Sequence, residues 1–379
     1  MPLTEHQRAA LHLMAAHGFG PVAFGTLAPL GPPEAMLRAE PREVELRLAG
    51  NRGSSKAAEA WYQARSAFLD GNDARIAGSM ALLDRGARLW IRGDEDYPAA
   101  LQDLRSAPIA VMASGPRLVE ALARPCIAIV GTREPTDYGV RQARAVASGL
   151  ARAGVTVVSG AAHGIDETAH LAALAAGGMT VAVLGVPLGT QDDTVSTRAR
   201  VTANGGCLTE MFPEHDQHAG SFPQRNRLIS ALARAVILVQ GDHESGTRHT
   251  AEFALEQKRL LMAIPGSVED PNSHVPHLYI SRGATLVTGA ADVLTALKLP
   301  VPADLAVAAP AGPPPTPEGL TEVQERMFTA LARAGAPVHM DDVALAAGVA
   351  PAVASRELLE LELRGLCRRS AGGAYECSR

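Results

Sequence analysis

Lysine is nearly missing from this chain. Of 35 basic residues only Lys56, Lys258 and Lys298 are lysines, which leaves arginine to supply almost every positive charge. Any anion site here must therefore be built from planar, bidentate donors. A global basic field is missing too: the formal net charge is −5, so a polyanion would need a local patch. Four cysteines (Cys126, Cys207, Cys367, Cys377) are scattered and form no CxxC pair, which argues against a zinc ribbon or a disulfide framework. Cys126 and Cys207 begin apolar runs and read as small buried residues. The first residues, MPLTEHQRAALHLM, lack both a basic n-region and a long apolar h-region. No apolar stretch is long enough to span a bilayer, so the expectation is a cytoplasmic protein with no membrane partner.

What is present divides into unequal parts. The 379 residues, 47% of them hydrophobic, exceed one ordinary domain and suffice for a sizeable core. Residues 1–80 read as short helices joined by Gly/Pro turns, and HGFGPVAFGTL (17–27) is similar to a helix–hairpin–helix or sterile-alpha-motif corner. Residues 81–299 open with two apolar runs, ARLWI and PIAVMA. Seven more follow, mostly bounded by glycine: CIAIVG (126–131), VTVVSG (155–160), TVAVLG (180–185), GCLTEM (206–211), AVILVQG (235–241), RLLMAIPG (259–266) and ATLVTG (284–289). Helical stretches such as YGVRQARAVASGLARAG separate most of them. Continuous apolar runs imply strands covered on both faces, hence a mainly parallel, doubly wound, Rossmann-like α/β sheet. In such sheets ligands sit outside the carboxyl ends of the strands.

Residues 300–318 contain a proline-rich stretch and read as a semi-rigid extended linker. Residues 319–379 read helix, helix, helix and hairpin, the order of a winged helix-turn-helix. The would-be recognition helix carries Glu357, Glu360 and Glu362 beside Arg356 and Arg364. Protein docking is at least as good a reading of this module as groove reading.

The strand-end loops carry the chemistry. IVGTREPTDYG gives Gly131 for close backbone approach, Thr132 for a hydroxyl and Arg133 for charge, an anion cradle. GxGxxG is absent and no ribose-binding acid ends the second strand, which argues against a dinucleotide cofactor. SGAAHGIDETAH (159–170) offers Ser159, Gly160, His163 and Gly164. There Asp166 stands where a helix N-cap belongs, with His170 one turn on and bonded back to it; no metal site is assigned. EHDQH (214–218) reads as a solvated loop. SFPQRNRLIS places Phe222, Arg225, Asn226 and Arg227 at a helix start, guanidinium forks for phosphate and a ring for a base. HESGTRHTAEFALEQKR opens another helix with Ser245, Gly246, Thr247 and Arg248.

Taken together, AIVGTREPTDYG, VVSGAAHGIDETAH, TVAVLG, LTE, FPQRNRLIS, SGT with TAEFALEQKR, and AIPG resemble the DNA-processing protein A (DprA/Smf) family, in its order across roughly 125–290. The helical N-terminal part and the winged helix fit that family's layout. The resemblance implies a non-enzymatic protein without cofactor or catalytic residues. It implies that the protein binds single-stranded DNA in the central pocket and forms a homodimer. It further implies a role in loading RecA recombinase during natural transformation; double-stranded DNA is a further candidate ligand. Carried over by motif, the pocket comprises Gly131, Thr132, Arg133, Ser159, Gly160, Gly164, Phe222, Arg225, Asn226 and Arg227. Two segments depart from the family pattern. GVPLGTQDDTVSTRARVTANGG replaces a Gly-rich turn leading to a Tyr-Pro segment, with Arg198 and Arg200 as substitute charge. SGTRHTAEFAL adds Arg248.

Two other functions compete. A nucleotide phosphoribohydrolase of the lysine-decarboxylase-like family is echoed by SGTRHTAE, but its PGGxGTxxE pattern is broken here, with Glu252 five residues after Thr247. A transcription regulator acting through the winged helix is the other.

Overall fold

The computed structural model describes residues 3–50, 53–190, 195–214, 221–305, 317, 319–334, 338–370 and 373–377. Two compact units result, Met1–Leu305 and Ala306–Arg379.

The first unit is organised by a nine-stranded sheet. Its strands are β1 (Arg88–Ile91), β2 (Ala110–Ser114), β3 (Cys126–Val130), β4 (Thr156–Ser159), β5 (Thr180–Leu184), β6 (Gly205–Thr209), β7 (Ala235–Leu238), β8 (Leu260–Ala263) and β9 (Thr285–Leu286). In space they lie in the order β1-β2-β6-β5-β4-β3-β7-β8-β9. From β6 to β9 all neighbours pair parallel, while β1–β2 and β2–β6 pair antiparallel. All seven glycine-bounded runs are parallel strands, and ARLWI and PIAVMA form the antiparallel edge.

Every residue of β3, β5 and β6 is buried, as strands covered on both faces require. Alternate residues divide between two cores. Ala128 and Val130 join Val181, Val183, Val236 and Leu238 under helices Ser221–Leu232 and Thr247–Glu256. Ile127 and Ile129 join Val157 and Ile237 under helices Asp137–Arg152 and Ile165–Ala175. That period of two is what makes each strand a shared wall. Val301 and Leu305 also pack on the second core, so the unit continues through Leu305.

The N-terminal helices enclose their own core around Trp61, whose indole N–H donates to the carbonyl of Met36 at 3.0 Å. Leu11 and Ile76 join Leu89, Ile91, Met112 and Phe212, tying those helices to the β1–β2 edge. Ser79, fully buried, is held by Glu214, which accepts from its N–H at 2.7 Å and its hydroxyl at 2.6 Å. Glu214 is thus an anchor, while the rest of EHDQH lies outside the described residues.

From β3 the chain winds outward through β4, β5 and β6, then returns to place β7 on the other side of β3. The topological switch point therefore lies between β3 and β7, where a crevice opens at the carboxyl ends of the strands.

The second unit contains helices Glu322–Ala334, Met340–Ala347 and Pro351–Leu363, then a hairpin of β10 (Cys367–Arg369) and β11 (Tyr375–Cys377). Met327, Leu331, Val343, Leu358 and Leu361 form its core. Glu357 turns inward and accepts from Gln324 Nε2 at 2.8 Å and from Arg356.

Candidate functional site

A cleft of about 830 Å3 opens at the β3–β7 switch point. Four loops and one helix start line it, the turn after β4 giving Ala162 and Asp166. The turn after β3 gives Gly131, Thr132, Arg133 and Glu134, and the turn after β7 gives Asp242, Glu244, Ser245, Gly246 and Thr247. Pro223, Arg225 and Asn226 come from the first turns of helix Ser221–Leu232, and Pro271 and Asn272 from the turn after β8. The cleft thus gathers eight residues expected from sequence: Gly131, Thr132, Arg133, Arg225, Asn226, Ser245, Gly246 and Thr247.

Backbone geometry sets the loops. Gly164 has φ of +86°, a conformation that favours glycine, and a Cβ there would stand 2.5 Å from the carbonyl oxygen of Thr132. At Gly131 a Cβ would meet Ile165 at 2.5 Å. These close approaches let the β3 turn pack on the start of helix Ile165–Ala175, where Ile165 N–H donates to Thr132 O at 3.2 Å.

A residue that sequence reasoning missed holds the same turn from the other side. Gln240, 1% exposed, donates from Nε2 to Thr136 Oγ1 at 2.8 Å and to Asp270 Oδ2 at 3.0 Å, and its Oε1 accepts from Thr136 N–H at 3.0 Å. Its backbone carbonyl accepts from Thr132 N–H at 2.8 Å. The signal was the glutamine ending the apolar run AVILVQG, where a buried amide demands partners. Glu134, Asp242, Asp270 and Asn272 were missed as well, because nothing in their loops distinguishes them from solvated turns.

Beneath the cleft lies a buried polar cluster. Arg225, 4% exposed, donates from Nη1 to Gly160 O at 2.7 Å and to Val183 O, and from Nε to Asn226 Oδ1 at 3.2 Å. Asp166 accepts from Gly160 N–H at 3.1 Å. Burial pushes the Asp166 carboxyl up, against the pull of the Arg225 charge and of backbone hydrogen bonds from Gly160 and Ala162. Burial likewise draws Arg225 down to about 10, with Asp166 opposing, so the guanidinium stays charged at neutral pH. The expected N-cap role of Asp166 is corrected: the cap is Gly164, and the carboxylate reaches back to the β4 turn instead. His170 is corrected too. Its Nδ1 donates to Thr180 Oγ1 at 2.6 Å, since that hydroxyl's own proton goes to Val157 O at 2.8 Å. Its Nε2 is buried without a hydrogen-bond partner, and burial draws the imidazole down to about 3.

The remaining expected residues stand apart from the cleft lining. Ser159 Oγ donates to Ile129 O at 2.6 Å, and Gly160 is where Arg225 and Asp166 meet. His163, half exposed, lies 3.3 Å from Glu167. Arg227 is mostly buried and pairs with Glu210, and Arg248 lies on the surface 3.1 Å from Glu252. The side chain of Phe222 lies outside the described residues. Arg198 is buried and donates to Thr190 O, so it anchors its own loop rather than facing the cleft. Among the described residues no three His, Cys, Asp or Glu side chains are grouped to hold a metal, and no helix is long and apolar enough to cross a membrane.

Chemically, the cleft offers one exposed guanidinium, Arg133, a side-chain amide at Asn226, and the positive end of the helix dipole of Thr247–Glu256, whose first N–H groups turn back to Ser245 and Gly246. The Arg225 bond occupies Asn226 Oδ1 and leaves the amide N–H groups for a ligand acceptor. That combination suits phosphate and base carbonyl oxygens.

Residues 88–298 match the family model described as DNA recombination-mediator protein A, and residues 311–373 match the DprA winged helix domain. Protein Smf of Escherichia coli is 35% identical over 325 residues, covering 81% of this chain and 82% of that protein. The X-ray structure of DNA processing protein A from Streptococcus pneumoniae superposes with a TM-score of 0.64 at 28% identity, over 78% of this chain and 98% of that one. DNA processing protein A from Helicobacter pylori, described for its single-stranded DNA binding mode, aligns with a TM-score of 0.50 at 27% identity, over 56% of this chain and 96% of that one.

Proposed function

Because this chain belongs to the DNA-processing protein A (DprA/Smf) family, we propose that it binds single-stranded DNA in the β3–β7 crevice without chemically altering it. The observation that carries this reading is the convergence of Arg133, Asn226 and the N-terminus of helix Thr247–Glu256 on one cleft at the switch point of the sheet. These groups suit a sugar–phosphate backbone with a base beside it, and they carry no nucleophile–base pair aimed at a common atom. The resemblance to the Helicobacter pylori protein supports the same ligand.

In this reading Gly131, Thr132, Arg133, Asn226, Ser245, Gly246 and Thr247 touch the strand. Ser159, Gly160, Gly164 and Arg225 set the shape of the wall. His163, Phe222, Arg227 and Arg248 contribute only where a longer strand leaves the cleft. The protein protects incoming DNA and hands it to RecA recombinase during natural transformation, working as a cytoplasmic homodimer. The C-terminal winged helix serves as a docking module.

Titration of a fluorescent oligothymidine with the full chain and with Arg133→Ala tests the site. At least a severalfold loss of affinity in the variant is expected. Equal affinity would refute the crevice as the binding site. Release of free base from nucleoside monophosphates would refute the non-enzymatic reading.

A further inference from the structure

The hairpin of the second unit brings two cysteines together that lie ten positions apart in sequence. Cys367 stands opposite Cys377, Arg368 opposite Glu376, and Arg369 opposite Tyr375. Tyr375 sends both its N–H and its C=O to Val338, at 2.8 Å each. The two backbone groups of a strand residue point to the same side, so Arg369 and Tyr375 make no ladder bonds with each other. The neighbouring rung agrees, since Ser370 N–H donates to Ala374 O at 2.7 Å. Rungs alternate, so Cys367 and Cys377, two positions along, also form a non-hydrogen-bonded pair.

That class of pair matters for sulfur. Its Cα atoms lie about 4.5 Å apart, with side chains closer than in the hydrogen-bonded class. A disulfide needs a Cα separation of roughly 4.4–6.8 Å. Both thiols also face the same way, into the core beneath the hairpin with Met327, Leu331 and Leu358. The Cys367 thiol lies 3.6 Å from Leu358 O and the Cys377 thiol 4.0 Å from Phe328 O. Cys126 and Cys207 have no such relation, because β4 and β5 separate their strands.

We propose that Cys367 and Cys377 form a thiol–disulfide exchange site that closes a reversible disulfide across the wing, with a low-molecular-weight disulfide as oxidant. Cys377 is the more exposed of the two and attacks first. Its thiolate displaces one thiolate from the small disulfide and leaves a mixed disulfide. The Cys367 thiolate then attacks Cys377 Sγ, the Sγ–Sγ bond forms, and the second small thiol departs. Two protein thiols lose two electrons in all, and one small disulfide becomes two thiols that take up the two cysteine protons. Burial pushes Cys367 up to about 12, with Glu362 adding to the rise, and pushes Cys377 up as well. Exchange is therefore slow at neutral pH and quickens with each added unit as the thiolate fraction grows.

The experiment treats the full chain with oxidised glutathione at about pH 8.5, alkylates the remaining thiols and maps tryptic peptides by mass. The expected product joins the peptide Gly365–Arg368 to the peptide Ser370–Arg379 within one chain, is reversed by dithiothreitol, and is absent in Cys377→Ser. Raising the pH by one unit should speed its formation severalfold. A stable glutathione adduct on Cys377 with no internal cross-link would overturn the proposal. So would cross-linking only between chains.

Discussion

Asp166 and Arg225 grip the same residue from opposite sides: the carboxylate accepts the N–H of Gly160 at 3.1 Å, and the guanidinium donates to its carbonyl at 2.7 Å. A Cβ on Gly160 would lie 2.7 Å from both side chains, so the grip requires glycine there. The pair fixes the β4 turn that backs the cleft. Arg225→Ala leaves Asp166 buried beside no cation, and a loss of about 3–5 kcal/mol in stability is expected. Asp166→Ala combined with Arg225→Ala should recover part of that loss. Urea unfolding checks both, and strictly additive effects would show that the two charges do not act together.

His170 makes stability fall on the acid side. Its imidazole is drawn down to about 3 in the folded chain, against 6.5 when free, because Nε2 is buried with nothing to receive a proton's charge. Unfolding therefore takes up a proton between those values. The stability is fully present above pH 6.5 and is lost as pH falls toward 3, at up to about 1.4 kcal/mol per unit. His170→Gln should flatten the urea midpoint between pH 6.5 and 4.5 by one proton's worth relative to the parent. Parallel curves would refute the assignment.

Arg133 and Arg227 should separate binding from stability. Losing a phosphate contact makes the log–log dependence of single-strand affinity on salt shallower by about 0.7, and Arg133→Ala is expected to do this. Arg227→Ala instead strips Glu210 of its buried partner. Its salt slope should match the parent while its melting temperature drops. The opposite pattern would place the DNA at Arg227.

A chain ending at Leu305 should keep full affinity for oligothymidine. Leu305 still packs on the sheet and Asp304 lies 3.2 Å from Arg152, whereas a cut at 299 removes both contacts. Anisotropy titrations of the two truncations check this. Equal loss of binding in both would move the site to the winged helix.

The parallel strands were legible because burial on both faces leaves an unbroken apolar run, as in CIAIVG and TVAVLG. The turns were legible from residues such as Gly131, whose missing side chain has a steric cause. The direction of side chains was not. FPQRNR reads as two equivalent arginines, yet helical geometry aims Arg225 under the β4 turn and Arg227 at Glu210. Gln240 was hidden for a related reason: its partners Thr136 and Asp270 come from distant loops. The Cys367–Cys377 pairing was likewise hidden, because it depends on hairpin register, which spacing alone does not set.

The wall of the crevice has a kinetic consequence. Arg133 and Arg225 share that lining with Glu134, Asp166, Asp242 and Glu244. Such a mouth adds little long-range steering of a polyanion, so capture proceeds at the pace of unguided diffusion and fit. What it gives up in speed of arrival it regains at departure. A strand held by shape and a few donors, rather than by a cloud of positive charge, slips free without first having to escape an attractive field.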